Sequence, residues 1–142
     1  MVANPPAGFP VIAPYLLYED LDAAVDWLVE AFGLEEAVRM NGPDGRALHA
    51  ELRFGEGVVM MGRPGGDYQN PKRRGGATQL VHVYVDDVDG HCAHARRFGA
   101  TILREPADQF YGDRNYNAED PEGHQWTFAQ HVRDVPPEEL HP

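Results

Sequence analysis

The stretch Tyr18-Glu19-Asp20-Leu21-Asp22 is matched, 67 residues further on, by Val85-Asp86-Asp87-Val88-Asp89. Two more landmarks recur at an offset of 66: Phe32-Gly33 as Phe98-Gly99, and Phe54-Gly55-Glu56-Gly57 as Asp120-Pro121-Glu122-Gly123. A nearly constant spacing between three pairs of landmarks indicates an internal repeat. The chain is therefore predicted to use one structural unit twice.

Each half shows the same order of secondary-structure signals. An apolar run comes first, over 11–18 and 80–85, and its aromatic and β-branched residues predict a buried strand. Asp20 or Asp87 then caps a helix that ends at Gly33 or Gly99. Three further strands follow, separated by turns rich in Gly and Pro. The pattern predicts an α+β fold built from two βαβββ modules.

The boundaries follow from the repeat and from composition. We predict a single domain over residues 1–142, with a first module at 11–61 and a second at 78–131. Residues 62–77 combine five glycines with four Lys or Arg and predict a linker loop, and residues 132–142 predict an irregular tail.

Composition excludes several classes of protein. Hydrophobic residues make up 42% of the 142, enough for a sizeable core, and no apolar run reaches the roughly 20 residues of a membrane span. The net charge of −11 disfavours binding to nucleic acid and favours a cationic ligand. The single cysteine, Cys92, excludes an internal disulfide framework. We expect a cytoplasmic protein without a secretory signal.

Several motifs together resemble a known family. They are Pro14-Tyr15-Leu16, His49-Ala50-Glu51-Leu52, Tyr111-Gly112-Asp113-Arg114 and Asp120-Pro121-Glu122-Gly123-His124. With the doubled βαβββ unit, they resemble the vicinal oxygen chelate superfamily, in its glyoxalase/bleomycin-resistance-like branch. That superfamily also includes extradiol dioxygenases and fosfomycin-resistance enzymes. The resemblance implies curled mixed sheets that enclose a cavity, and a homodimer.

The resemblance also implies where a catalytic metal would bind. Metal-dependent members carry one ligand, usually His or Glu, on the first and last strand of each module. Seven residues before Asp20 and Asp87 these positions are Ala13 and Leu80, and seven residues after Asp120 the position is Thr127. The repeat offset of 66 then gives Met61 as the match of Thr127. None of these side chains is a good ligand for a hard or borderline divalent ion. We therefore predict no metal and no cofactor.

Alternation along the strands predicts a ligand-binding surface. In the third strand His49, Glu51 and Arg53 point away from the apolar set Leu48, Ala50, Leu52 and Phe54. Polar groups set among apolar and aromatic walls are typical of small-molecule sites. The predicted ligand-binding residues are Tyr15, His49, Glu51, Met61, His82, Tyr84, Arg114 and Asn117. For Arg114, an ion pair with Asp113 at the strand entry is an equally good interpretation.

Two functions follow, and they differ in metal dependence. The first is a metal-free protein that binds, and sequesters, a cationic or aromatic small molecule. The alternative is a metal-dependent enzyme of the superfamily, a lyase, isomerase or dioxygenase, with a noncanonical site that uses His49, Glu51 or His82. A protein-interaction module is a third hypothesis, without a specific motif to support it. Whether the protein is an enzyme is left open at this point.

Overall fold

A computed structural model describes residues 1–142, which divide into two compact units, 1–70 and 71–142. The first unit contains β1 (Tyr15–Leu17), α1 (Leu21–Phe32), β2 (Glu35–Asn41), β3 (Ala47–Phe54) and β4 (Gly57–Gly62). The second contains α2 (Pro71–Arg74), β5 (Leu80–Tyr84), α3 (Val88–Arg97), β6 (Thr101–Asp108), β7 (Asp113–Glu119) and β8 (Gln125–His131). A 3-10 turn follows at Pro137–Glu139. The predicted βαβββ order is confirmed in both halves.

Each unit has one open, four-stranded mixed sheet. The strand orders are β1-β4-β3-β2 and β5-β8-β7-β6. In each sheet the first strand is parallel to the last, and the other neighbours are antiparallel. The predicted α+β class, with two mixed sheets, is confirmed.

Both long helices begin where the sequence predicts, and α1 also ends there, whereas α3 ends at Arg97, two residues before the predicted Gly99. The Asp20 and Asp87 carboxylates accept hydrogen bonds from the backbone N–H groups of Ala23 and Gly90, three residues on. Gly33 ends α1 in the left-handed conformation, with φ of 76°, which a residue with a Cβ adopts only at a cost.

The register of the first sheet decides which face is core. Leu16, Met61 and Ala50 form one row across β1, β4 and β3, and all three are buried. Tyr15, Met60 and Glu51 form the neighbouring row, which points to the opposite face. Since α1 packs against β2 and β3, the first row belongs to the hydrophobic core.

The second unit has an aromatic core. Tyr116, Trp126 and Phe128 are buried on β7 and β8, and the rings of Trp126 and Phe128 stack at 6.2 Å. The Asp120 carboxylate accepts from the Trp126 Nε1–H and from two backbone N–H groups of the following turn. This buried carboxylate therefore joins the Asp-Pro-Glu-Gly turn to the largest core side chain.

Some boundaries differ from the prediction. The first strand starts at Tyr15 and not at Val11: Val11 and Ile12 are exposed, and before Tyr15 the Pro14 carbonyl accepts from the Met60 N–H of β4. Leu48 is 47% exposed although the alternation predicts it in the core, since it lies opposite Arg63, past the end of β4. The short helix α2 lies within the predicted linker loop. No helix in the structure combines the length and the apolar character needed to cross a membrane.

Candidate functional site

The first sheet carries a chain of three hydrogen-bonded side chains on the face opposite α1. The Tyr15 hydroxyl lies 2.8 Å from His49 Nδ1, and His49 Nε2 lies 2.8 Å from Glu51 Oε2. Tyr15 comes from β1, and His49 and Glu51 are two residues apart on β3. The predicted alternation thus places His49 and Glu51 on one face, and the register brings Tyr15 to them.

A glycine between the two strands makes this contact possible. Gly62 of β4 pairs with Leu17 on one side and with His49 on the other. A Cβ at position 62 would lie 2.8 Å from Tyr15 Cε1 and 3.0 Å from Tyr15 Oη. The tyrosine ring therefore crosses the space that a side chain at 62 would fill.

Apolar groups surround this chain on the same face. Leu17 and Met40 are exposed, and Met60 is half-buried. Met40 pairs directly with His49, and Met60 lies between Tyr15 and Glu51. We call this surface the Tyr15 face, defined by Tyr15, Leu17, Met40, His49, Glu51, Met60 and Gly62.

Exposure differs along the chain. The Tyr15 residue is 48% exposed, whereas the side chains of His49 and Glu51 are 17% and 16% exposed. Arg53, next along β3 on this face, donates to the Gly8 carbonyl and lies 5.3 Å from the Phe9 ring centre. The tyrosine is thus the accessible end of a shielded polar chain.

The matching face of the second sheet holds the other predicted residues. His82, Thr127 and Asn117 form one row across β5, β8 and β7. The rings of His82 and Tyr84 lie 5.0 Å apart. The Asn117 Oδ1 atom is buried without a hydrogen-bond partner, which leaves one acceptor unsatisfied on this face.

Sequence reasoning missed an aspartate at the centre of a second network. Asp113 is buried and accepts hydrogen bonds from the Tyr84 hydroxyl at 3.0 Å and from His131 Nδ1 at 2.8 Å. The hydrogen bond to Asp113, and then burial, raise the pKa of the Tyr84 phenol. By alternation Asp113 lies on the same face of β7 as Asn115 and Asn117. The sequence therefore contained a signal for this position, but Asp113 was interpreted as the ion-pair partner of Arg114.

Two predicted ligand-binding residues lie elsewhere. Met61 is fully buried on the helix side of the first sheet, and Met60 takes the predicted place on the Tyr15 face. The prediction is wrong by one residue. Thr127 pairs with His82 and Met60 pairs with Tyr15, so matching positions on β4 and β8 are 67 residues apart and not 66. A shift of one residue moves a side chain to the opposite face of a sheet.

Arg114 is the second correction. Its guanidinium donates to Asp89 of α3 at 3.1 Å and to Asp108 of β6 at 3.2 Å. It therefore lies on the helix side of its sheet and not with Asn117. The interpretation as an ion pair with Asp113 was wrong, because the ion-pair partners are Asp89 and Asp108, and a contact of Arg114 with a ligand stays a prediction.

The residues at the metal positions of the family do not fit a divalent ion. Ala13 precedes β1, Leu80 is 45% exposed, and Thr127 offers only a hydroxyl. The corrected fourth position, Met60, offers a thioether, which is a soft ligand. No group of three or more His, Cys, Asp or Glu side chains comes together in a way that could hold a metal.

A small polar cavity of about 270 Å³ lies elsewhere in the first unit. Arg46, Arg63, Glu19 and Tyr68 line it, together with two glycines of the predicted loop. Arg63 is held by Asp44, and the Tyr68 hydroxyl donates to the Leu17 carbonyl. Sequence reasoning did not identify this cavity, because its walls come from three separate loops.

Known proteins with similar sequences and folds are consistent with this architecture. The family model described as Glyoxalase/Bleomycin resistance protein/Dioxygenase superfamily matches residues 9–128. The uncharacterized protein Mb0911c of Mycobacterium bovis is 37% identical over 136 residues, which span 92% of this chain and 90% of that protein. The uncharacterized protein Rv0887c of Mycobacterium tuberculosis is also 37% identical over 136 residues, spanning 92% of this chain and 80% of that protein.

Solved structures extend the similarity to three dimensions. TioX from Micromonospora sp. ML1 is 37% identical and has a TM-score of 0.69, over 85% of this chain and 98% of TioX. A glyoxalase/bleomycin resistance protein/dioxygenase from Nocardioides is 20% identical with a TM-score of 0.66, over 93% of this chain and 90% of that one. At 20% identity the likeness concerns the fold alone.

Proposed function

Because the chain belongs to the glyoxalase/bleomycin resistance protein/dioxygenase superfamily, we propose that it binds a cationic or aromatic small molecule without a metal. The observation that carries this proposal is the Tyr15 face. There, the hydrogen-bonded chain of Tyr15, His49 and Glu51 lies among exposed apolar side chains. Sequestration of the bound molecule, without chemical change, is the simplest role for such a surface.

The composition of the Tyr15 face suits a small ligand. Ligand sites combine apolar and aromatic walls with a few polar groups that set orientation. Here Leu17, Met40 and the Tyr15 ring offer apolar area, and the Tyr15 hydroxyl offers a polar contact. Exposed methionines adapt their shape to a planar ligand more easily than branched side chains do.

Electrostatics favour a cation. The chain carries a net charge of −11, and Glu51 lies within the Tyr15 face. A negative potential raises the local concentration of cations and speeds their association. The aromatic face of Tyr15 also attracts cations placed over the ring.

The donor chemistry argues against a role for a metal. A zinc, nickel or iron site requires imidazole, carboxylate or thiolate ligands. The positions used by metal-dependent members hold Ala13, Met60, Leu80 and Thr127 instead. Both ring nitrogens of His49 already have hydrogen-bond partners, Tyr15 Oη and Glu51 Oε2, each at 2.8 Å, so the imidazole could bind an ion only by breaking one of these bonds.

Isothermal titration tests the proposal with three probes. Metal-free bleomycin and proflavine supply cationic ligands, and anthracene-2-sulfonate supplies an anionic aromatic with three linearly fused rings, as in proflavine. We expect saturable binding of at least one cationic probe, unchanged by prior dialysis against EDTA. Anthracene-2-sulfonate should bind more weakly than proflavine.

Two variants locate the site. Met40→Ala removes an exposed apolar side chain of the Tyr15 face, and Leu103→Ala removes one of comparable exposure from β6. Met40→Ala should weaken binding by several-fold, and Leu103→Ala should leave it unchanged. No binding of any probe, or a stoichiometric metal that is lost in His49→Ala, would contradict the proposal.

Two further expectations from the sequence stay predictions. The homodimer would be detected by light scattering coupled to size-exclusion chromatography, at a mass twice the 15.8 kDa of the chain. Fractionation of the producing cells would test the cytoplasmic location.

A further inference from the structure

The chain of hydrogen bonds on the Tyr15 face has a direction. A carboxylate can only accept hydrogen bonds, so His49 Nε2 must carry the hydrogen that bridges the 2.8 Å to Glu51. In a neutral imidazole the other nitrogen is then an acceptor. The hydrogen of the 2.8 Å contact between Tyr15 Oη and His49 Nδ1 therefore comes from the tyrosine.

This direction decides what Tyr15 offers to a ligand. Its only hydroxyl hydrogen is committed to His49, so the exposed side of the oxygen presents lone pairs alone. We propose that Glu51 and His49 act as positioning residues that make Tyr15 a hydrogen-bond acceptor, so that the site selects ligands with an N–H or O–H donor. The inference rests on the proposed function of the Tyr15 face and specifies its ligand class.

The surroundings keep this arrangement in place. The His49 and Glu51 side chains are only 17% and 16% exposed, so water competes weakly for their bonds and the low local dielectric strengthens them. Both come from β3, two residues apart, so the strand itself sets their spacing. Gly62 leaves room for the Tyr15 ring to reach across β4.

The ligand class agrees with the charge of the protein. Ammonium, amide N–H, indole N–H and phenol groups all donate hydrogen bonds, and the first of these is also cationic. Ethers, tertiary amides and aromatic nitrogen or oxygen acceptors without a hydrogen would face the lone pairs of Tyr15 and lose affinity. A polar atom that is covered by a ligand without a hydrogen-bond partner loses its bonds to water and gains none in return.

The tautomer of His49 is directly measurable. Nitrogen-15 NMR at pH 8 distinguishes a ring nitrogen that carries hydrogen from one that does not. We expect a protonated Nε2 and an unprotonated Nδ1. A hydrogen on Nδ1 alone, or on both nitrogens, would overturn the inference, because His49 would then donate to Tyr15 and free the tyrosine hydrogen.

Substitutions show whether Glu51 sets the tautomer. Glu51→Gln keeps the size of the side chain but allows it to donate as well as accept, so both tautomers of His49 become satisfied. The two nitrogen shifts should then move toward each other. Tyr111→Phe, which removes a hydroxyl bonded to Asn115 on the second unit, should leave them unchanged. If Glu51→Gln also leaves them unchanged, Glu51 does not position the ring.

The ligand class is tested with two probes of equal shape, indole and benzofuran, of which only indole donates a hydrogen bond. We expect indole to bind about five-fold more tightly, as one net hydrogen bond implies, and we expect Tyr15→Phe to abolish the difference. Equal affinities in the unmodified protein would overturn the inference while leaving the proposed function intact. If neither probe binds, the proposed function fails for planar aromatics and the ligand class fails with it. The tautomer result stands in either case.

Discussion

The Tyr15 face and its counterpart in the second unit have the same backbone pattern and different chemistry. The register matches the two sheets position by position: Tyr15 with His82, His49 with Asn115, Glu51 with Asn117, and Gly62 with Ala129. At these positions the first face holds a hydrogen-bonded chain that ends in a carboxylate, and the second holds neutral amides. The carboxylate of the second face is Asp113, further along β7, which accepts from Tyr84 and His131. One template thus supports two surfaces, and side chains alone decide where each places its hydrogen-bonded carboxylate.

The two cores differ in a complementary way. Three of the buried positions of α1 are Leu21, Val25 and Leu28, and their matches in α3 are the smaller Val88, Cys92 and Ala95. The sheet compensates, because Tyr116 and Phe128 of the second unit match Ala50 and Met61 of the first. Large helix residues on a small-residue sheet, or the reverse, give similar packing density.

The largest expected effect tests this complementarity. Leu28→Ala gives α1 the residue that α3 carries at the matching position, but over a sheet without the large aromatic residues. We expect a loss of about 2–5 kcal/mol in the free energy of unfolding, measured with urea. Glu30→Ala, on the exposed side of α1, should change it by less than about 0.5 kcal/mol. A similar loss in both variants would contradict the packing argument.

The second-largest effect is expected at the Asp-Pro-Glu-Gly turn of the second unit, where a buried carboxylate accepts hydrogen bonds from the backbone. Asp120 is buried and accepts from two backbone N–H groups and from Trp126 Nε1, whereas its match in the first unit is Phe54. Asp120→Ala leaves those donors unpaired and should cost about 1–3 kcal/mol. Chemical denaturation monitored by tryptophan fluorescence measures the loss. Asp120→Asn, which keeps an acceptor oxygen, serves as the control and should cost less.

A smaller effect on stability, with a clear effect on the site, is expected at Gly62. Gly62→Ala copies Ala129 of the second unit and displaces the Tyr15 ring, since the new Cβ would lie 2.8 Å from Tyr15 Cε1. The lost hydrogen bond, about 1 kcal/mol, is offset by the lower entropy of the unfolded chain. The melting temperature should therefore change little while the His49 nitrogen shifts change. Ala129→Gly should leave the His49 nitrogen shifts unaltered. If Gly62→Ala also leaves them unaltered, the Tyr15 ring does not need the space at position 62 to reach His49.

The smallest effect is the titration of His131, at the end of β8, where the first unit has Pro64. Hydrogen bonds to Asp134 and then to Asp113 raise the pKa of His131 above its ordinary value of 6.5. Since the pKa is higher in the folded state, the stabilisation is complete below about pH 6.5. It is lost as the pH rises through the folded pKa.

Proton NMR of the His131 ring across pH 5–9 measures this titration. We expect His131 to titrate with a higher midpoint in the unmodified protein than in the Asp134→Asn variant. An equal midpoint in the two proteins would show that Asp134 does not stabilise the imidazolium.

Much of the fold and part of the site followed from the sequence. Helix caps at Asp20 and Asp87 were predicted because a cap depends on only a few neighbouring residues. His49 and Glu51 were placed on one face for a similar reason, since the alternation of a strand is local. Met61 was misplaced because the repeat offset changes from 66 to 67 at β4 and β8, and a single residue reverses a strand's faces.

The repeated landmarks by themselves determined two βαβββ modules, their helix boundaries and the polar alternation of β3. Only the tertiary structure decided that the Tyr15 ring crosses Gly62 to reach His49, that Asp113 binds Tyr84 and His131, and that Arg114 turns to Asp89. Local signals describe one strand or helix at a time. Contacts between strands depend on register and on the space left by a neighbour's side chain, and these arise only when the sheet assembles.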